Sequence, residues 1–179
     1  AGEFRSRAGP MMAAGDRFDI TLSGTGGHAA QPHLTHDTLL AISELVVALN
    51  TLVSRALAPY EPAVLTVTRI QGGHSHNMIP SEASITGTVR TFSPGAQDII
   101  ERQLRQMTGH ISAAHGLTAE VNYLRYYPAT CNSARETGIA LQAAKAIGLS
   151  TETAEYPALT SEDFSFMLQQ KPGAYLWLG

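Results

Sequence analysis

At 179 residues, 44% hydrophobic and with a mean hydropathy of -0.04, the chain has the bulk for one ordinary domain, or for a small domain and part of another. Its net charge of -3, with ten arginines and only two lysines scattered along the sequence, provides no basic surface for nucleic acid or an anionic membrane. The single cysteine, Cys131, excludes an internal disulfide framework and fits a reducing, cytoplasmic compartment.

Taken in order, residues 1–7 (Ala-Gly-Glu-Phe-Arg-Ser-Arg) carry neither an initiating methionine nor a secretory pattern, read as a cloning scar, and are left out of the fold expectation. Arg17–Gly24 alternates, with Phe18, Ile20 and Leu22 on one side and Asp19, Thr21 and Ser23 on the other, as in a half-buried strand. Thr25-Gly-Gly-His-Ala-Ala-Gln-Pro-His33 follows. Its glycines open backbone conformations closed to other residues, Pro32 fixes the exit, and the loop holds the His28 imidazole just past the strand end. Thr35 or Asp37 can cap a helix whose apolar stripe runs through Leu39, Ile42, Val46, Leu49, Val53 and Leu57, ended by Pro59 and Pro62. No apolar run approaches the ~20 residues of a membrane span, since Glu44 interrupts the longest.

Ala63–Gln71 is β-branched and alternating, a second strand, and Gly72-Gly-His-Ser-His-Asn-Met-Ile-Pro80 is a loop. Ser81–Phe92 reads as a third strand, with Ala83, Ile85 and Val89 on one face and Ser84, Thr86, Thr88 and Arg90 on the other. Ser93-Pro94 opens a second helix through Ile100, Leu104, Met107, Ile111 and Ala114, with Gly116 as its C-cap. Leu117–Tyr127 is a fourth strand, closed by Pro128. Beyond it, Ser133-Ala-Arg-Glu136 reads as the capping box of a helix to Gly148, Thr153–Tyr156 as a short strand, Ser161 as the cap of a short helix, and Ala174–Leu178 as a buried-type strand.

Residues 17–128 therefore spell strand-helix-strand-strand-helix-strand. Right-handed crossovers favour a four-stranded antiparallel sheet with both helices on one face, the ferredoxin-like βαββαβ arrangement. Residues 129–179 cannot close a core alone and read as a fragment of an α/β domain, so the fold class is α+β with an α/β fragment attached. Of the seven histidines, His74 with His76, or His33 with His36, can touch one metal ion, but spacing places no third or fourth donor, as zinc would require. No metal site is expected in this chain.

Four segments in this order, the His28 loop, Gly72–Pro80, Gly87-Thr-Val-Arg-Thr-Phe92 and Ser161-Glu-Asp-Phe164, resemble the co-catalytic zinc amidohydrolases, a family that includes aminoacylases, hippurate hydrolase and indole-acetyl-amino-acid hydrolases. The resemblance runs from about Gly9 to Gly179. It implies that residues 8–16 end a catalytic-domain linker, that 17–128 are a lid or dimerisation domain, and that 129–179 are part of the C-terminal catalytic segment. It further implies a full-length hydrolase that removes the acyl group from N-acyl amino acids such as hippurate. Two divalent ions (zinc, manganese or cobalt) would be held by a His-Asp segment and a Glu-Glu pair that this sequence does not contain, leaving this chain inactive alone.

The resemblance assigns roles as well. His28 would polarise the scissile carbonyl and stabilise the oxyanion across a homodimer, Asn77 would hold the substrate carboxylate and backbone, and Arg90 would bind the amino-acid carboxylate. Glu162-Asp163 would support the pocket. The homodimer would form through strand 63–71 and helix 39–57. Alternation along the strands lets His28, Asn77 and Arg90 converge on the sheet face that the helices leave bare, or on its rim. Taken without the resemblance, the same residues fit a tight strand-to-helix connection, a turn-forming asparagine and a solvated strand arginine. The competing reading of the whole chain is a free-standing ferredoxin-like dimeric module that binds a ligand or regulates.

Overall fold

The computed structural model describes residues 2–179. In chain order the elements are β1 (Glu3–Ser6), β2 (Gly9–Met12), β3 (Ala14–Ser23), β4 (Gly27–His28), α1 (Thr38–Ala56), β5 (Ala63–Gly72), β6 (Met78–Ile79), β7 (Glu82–Thr91), α2 (Pro94–Ala114), β8 (Thr118–Tyr127), β9 (Thr130–Asn132), α3 (Ala134–Ala146), β10 (Ser150–Thr153), α4 (Phe164–Gln170) and β11 (Trp177–Leu178). A single 3-10 turn, Pro32–Leu34, lies between β4 and α1. Two compact units result: Asp16–Val89 with Pro94–Leu124, and the described residues up to Gly15 with Arg90–Ser93 and Arg125–Gly179.

The first unit is built on a four-stranded sheet in the order β5-β7-β3-β8. The end of β3 meets the start of both its neighbours: the Gly24 N–H donates to Ser81 O at 2.8 Å, and the Thr118 hydroxyl to Ser23 O at 3.2 Å. Ends meeting starts is the signature of antiparallel pairing. One buried cluster combines Phe18, Ile20 and Leu22 of β3, Ala83, Ile85 and Val89 of β7, Ile42, Leu45, Leu49 and Leu52 of α1, and Ile100 and Leu104 of α2. Both helices thus bury their stripes on the same sheet face. Each fully buried side chain of this kind contributes roughly 1.5–3 kcal/mol. The other face carries the half-exposed Thr21, Ser84, Thr86 and Thr88.

Asp37, rather than Thr35, caps α1: its Oδ1 accepts the N–H groups of Leu39 at 2.9 Å and Leu40 at 3.0 Å. Thr35 is engaged with Pro32 O instead. Thr38, fully buried in the first turn, donates its hydroxyl to Pro80 O at 2.8 Å and so moors the Gly72–Pro80 segment to the helix. At the other end of the helical layer, Gly116 sits at φ +67 and the Leu117 N–H reaches Ser112 O at 2.8 Å, closing α2 with a Schellman turn.

The expectation that no segment is long and apolar enough to span a membrane needs correction. Thr38–Ala56 has that length and a mean hydropathy of 1.5. One glutamate does not lower the average enough, because α1 is apolar on two sides: one faces the core and the other carries Leu40 and Val47 outward.

In the second unit, β1 is the central strand of a three-stranded sheet, parallel to β10 (Glu3↔Ser150) and antiparallel to β11 (Phe4↔Leu178). Residues 3–6, set aside with the cloning scar, therefore belong to the fold, and Ser6 is fully buried. Four residues are too few to display a period, so nothing local announced the strand. The buried Asn132 side chain ties the unit together. Its Nδ2 donates to Ser6 Oγ (3.1 Å), Arg7 O (3.1 Å) and Tyr175 O (2.9 Å), and its Oδ1 accepts the Tyr175 N–H (2.7 Å).

Two cap expectations also fail. Ser133 is the N-cap of α3 without a side-chain bond; its N–H is already taken by Gly173 O at 2.9 Å, so the reciprocal half of a capping box has nothing to satisfy. Asp163, not Ser161, is the N-cap of α4.

Candidate functional site

The two glycine-rich segments, expected as separate loops, zip together. β4 and β6 pair antiparallel with Gly27 opposite Ile79 and His28 opposite Met78. Gly26 makes this possible. A Cβ there would lie 2.7 Å from Ile79 O and 2.8 Å from Ser81 N, backbone atoms that cannot give way, so the close approach of the chains demands glycine.

Past His28 the backbone amides are committed one after another. The Ala29 N–H donates to Asn77 O at 2.9 Å, the Ala30 N–H to His28 Nδ1 at 3.1 Å, and the Gln31 N–H to His28 O at 2.9 Å. On the facing chain the Ser75 hydroxyl donates to Asn77 Oδ1 at 2.6 Å. With those acceptors engaged, the imidazole Nε2 of the exposed His28 and the amide Nδ2 of the exposed Asn77 are the other polar atoms of the two side chains. A cleft of about 490 Å³, lined by Gly26, Gly27, His74 and Met78 among others, adjoins the ribbon.

Arg90 stands elsewhere. It lies near the C-terminal end of β7, the opposite end from the one that follows the ribbon, and is half-buried. A Cβ on Gly15 would come within 3.5 Å of Arg90 Nη1 and 2.5 Å of Ser161 Oγ, so the missing side chain at Gly15 leaves both groups their room. The Ala29 N–H joins the His28 loop to Asn77, whereas Arg90 belongs to the second unit.

Tyr175 Oη donates to Glu162 Oε2 at 3.1 Å. The hydrogen bond with Asp163, and then that from Tyr175, hold the Glu162 carboxyl below its ordinary range, while the same Glu162–Asp163 bond pushes Asp163 up.

Among the described residues no three His, Cys, Asp or Glu side chains gather as metal ligands would. His74 and His76, like His33 and His36, are exposed and collect no third donor. Ala30 and Ser75, which bond to His28 and Asn77, were not singled out from the sequence. Ala30 acts through its backbone, which no residue type advertises; the Ser75/Asn77 spacing was the one readable sign.

A family model for the peptidase dimerisation domain matches residues 16–116, more than half of the chain, and the chain belongs to that family. It is 39% identical over 173 residues to the N-acetyl-L-cysteine deacetylase of Bacillus subtilis (strain 168), spanning 97% of this chain and 41% of the relative. To thermostable carboxypeptidase 2 of Saccharolobus solfataricus it is 33% identical over 180 residues, spanning 100% and 45%. A solved structure from methicillin resistant Staphylococcus aureus superposes with a TM-score of 0.90 at 29% identity, over 99% of this chain and 46% of that one. A dinuclear metal binding peptidase of the M20 family from Bacillus subtilis does so with a TM-score of 0.79 at 30% identity, over 99% and 44%. The chain spans less than half the length of these relatives.

Proposed function

We propose that the chain is the lid, with part of the catalytic segment, of a longer metal-dependent amidohydrolase acting on N-acyl amino acids, and that the first unit is a ferredoxin-like lid. The observation that carries this reading is the β4–β6 ribbon, which zips the two glycine-rich segments together, with His28 opposite Met78, and ties the His28 loop to Asn77 through the Ala29 N–H. Two N–H donors suit a carbonyl oxygen and a carboxylate. Relatives named as deacetylases of N-acetylcysteine and N-acetyldiaminopimelate support the substrate class. The two metal ions of such an enzyme would be held by residues outside this sequence, and no step is assigned to them.

His28 Nε2–H donates to the scissile carbonyl oxygen as it gains charge, an interaction typically worth ~2.7–4 kcal/mol of barrier. Asn77 Nδ2 holds the backbone and carboxylate of the amino acid, and the planar fork of Arg90 takes that carboxylate. The position of Arg90 at the far end of β7 from the ribbon supports a division between subunits: the ribbon of one chain serves the site to which its partner contributes Arg90. The homodimer forms through β5 and the outer face of α1. That the whole chain is matched inside longer hydrolases weighs against a free-standing module.

Complementation in the longer enzyme tests this. Dimers exchanged between His28→Ala and Arg90→Ala chains, assayed at substrate well below KM where both variants are impaired, should regain activity, because one of the two sites then has both groups intact. Exchange between His28→Ala and Asn77→Ala should regain none. Recovery in neither mixture, with exchange verified, would place His28 and Arg90 in the same chain's site.

A further inference from the structure

We infer that the neutral His28 imidazole is held in a single tautomer, with its proton on Nε2, and that the Ala30 amide is the group that sets it. Ala30 N lies 3.1 Å from His28 Nδ1 with its N–H directed at the ring nitrogen. An N–H can bond there only to a lone pair, so Nδ1 carries no proton and the neutral ring must carry it on Nε2. Turning the ring over would set a ring C–H against the amide N–H and lose the bond.

The amide cannot swing away to suit another tautomer. The Ala29 N–H on one side is bonded to Asn77 O and the Gln31 N–H on the other to His28 O, both at 2.9 Å. The turn is the histidine counterpart of an Asx turn, in which a side chain accepts from the N–H two residues on. The consequence separates two kinds of catalyst. A general acid or base must pass through a form with protons on both nitrogens, and that form meets the Ala30 N–H with another N–H. A hydrogen-bond donor passes through no such form. The geometry therefore selects a donor that is ready before substrate arrives.

The tautomer rests on the loop alone, whereas its use in catalysis rests on the oxyanion role proposed above; the experiment separates the two. In the chain labelled with 15N-histidine, two-bond proton–nitrogen correlation at neutral pH should show His28, identified by the loss of its signals in His28→Gln, with a bare Nδ1 and a protonated Nε2. His74, exposed and without such a partner, supplies the averaged reference in the same spectrum. A His28 pattern that is Nδ1-protonated, or averaged like that of His74, overturns the inference. Ala30→Pro removes the N–H, and His28 should then average while the Ala29 amide stays protected from exchange. An unchanged His28 pattern would mean that Ala30 does not set it. In the longer enzyme, His28→Gln, which places an N–H near Nε2, should keep about tenfold more kcat than His28→Asn, part of what an oxyanion donor contributes. Equal losses in both would overturn the donor role. A fully active His28→Ala would remove the oxyanion reading and leave the tautomer to the spectrum.

Discussion

Gly26 lets two peptide chains touch, and removing that contact should be felt at once. Gly26→Ala is expected to lower stability by ~1–3 kcal/mol, as overpacking against immobile atoms does, with the loss read from the midpoint of urea unfolding. A change below about 0.5 kcal/mol would mean the ribbon can spread at little cost. His28 and Arg90 should separate kinetically in the longer enzyme. Under the proposed function, His28 would meet charge that exists only in the transition state, so His28→Ala should cut kcat by about 10²–10³ with little change in KM. Arg90 would hold a carboxylate already present in the ground state, so Arg90→Ala should chiefly raise KM. A drop in kcat alone for Arg90→Ala would contradict the assignment. His28, Asn77 and Arg90 stand out as candidates in the sequence because an imidazole, an amide and a guanidinium carry their chemistry in the side chain. The Ala30 N–H does not, and neither does the end of β7 at which Arg90 stands, since a strand pattern records faces and not distances.

Elements with a long period were the legible ones. The stripe of α1 can be read directly from the residues, with Thr35 or Asp37 as its cap, and the structure holds the cap bonds at Asp37. Asp37→Ala should therefore cost about 1 kcal/mol of stability, and Asp37→Asn much less, since asparagine also accepts from the first turn. Equal losses in the two variants would show that the carboxylate charge, not the cap, is what matters. β1, β4 and β6 were illegible for a common reason: strands of two to four residues have no alternation to detect, and their partners lie far along the chain. The failed capping box at Ser133 has the same origin. A distant carbonyl, Gly173 O, occupies the N–H that a local rule would assign to Glu136.

For the whole molecule the open question is what covers the free edge of the sheet. β5 is an edge strand, and the Thr66 carbonyl points inward to β7, where a Cβ on Gly87 would meet it at 2.5 Å. In an antiparallel ladder the N–H and C=O of one residue face the same way and those of the next face oppositely, so Val67 turns its backbone to the open edge. Such an edge invites pairing with another chain unless charge or proline blocks it. Beside it, α1 carries an apolar outer strip with Leu40, Ala48 and Val47, the last 69% exposed. A two-fold contact that joins the β5 edges and packs these strips would bury both. The chain should accordingly sediment and scatter light as a dimer. Val67→Pro removes an outward N–H without touching the ladder to β7, so it should give a monomer that keeps its circular dichroism and unfolds cooperatively. Val47→Glu should do the same from the helix side, by leaving a charge in the apolar strip. A wild-type chain that stays monomeric at high concentration, or a dimer unmoved by both substitutions, would place the contact somewhere other than this edge and helix.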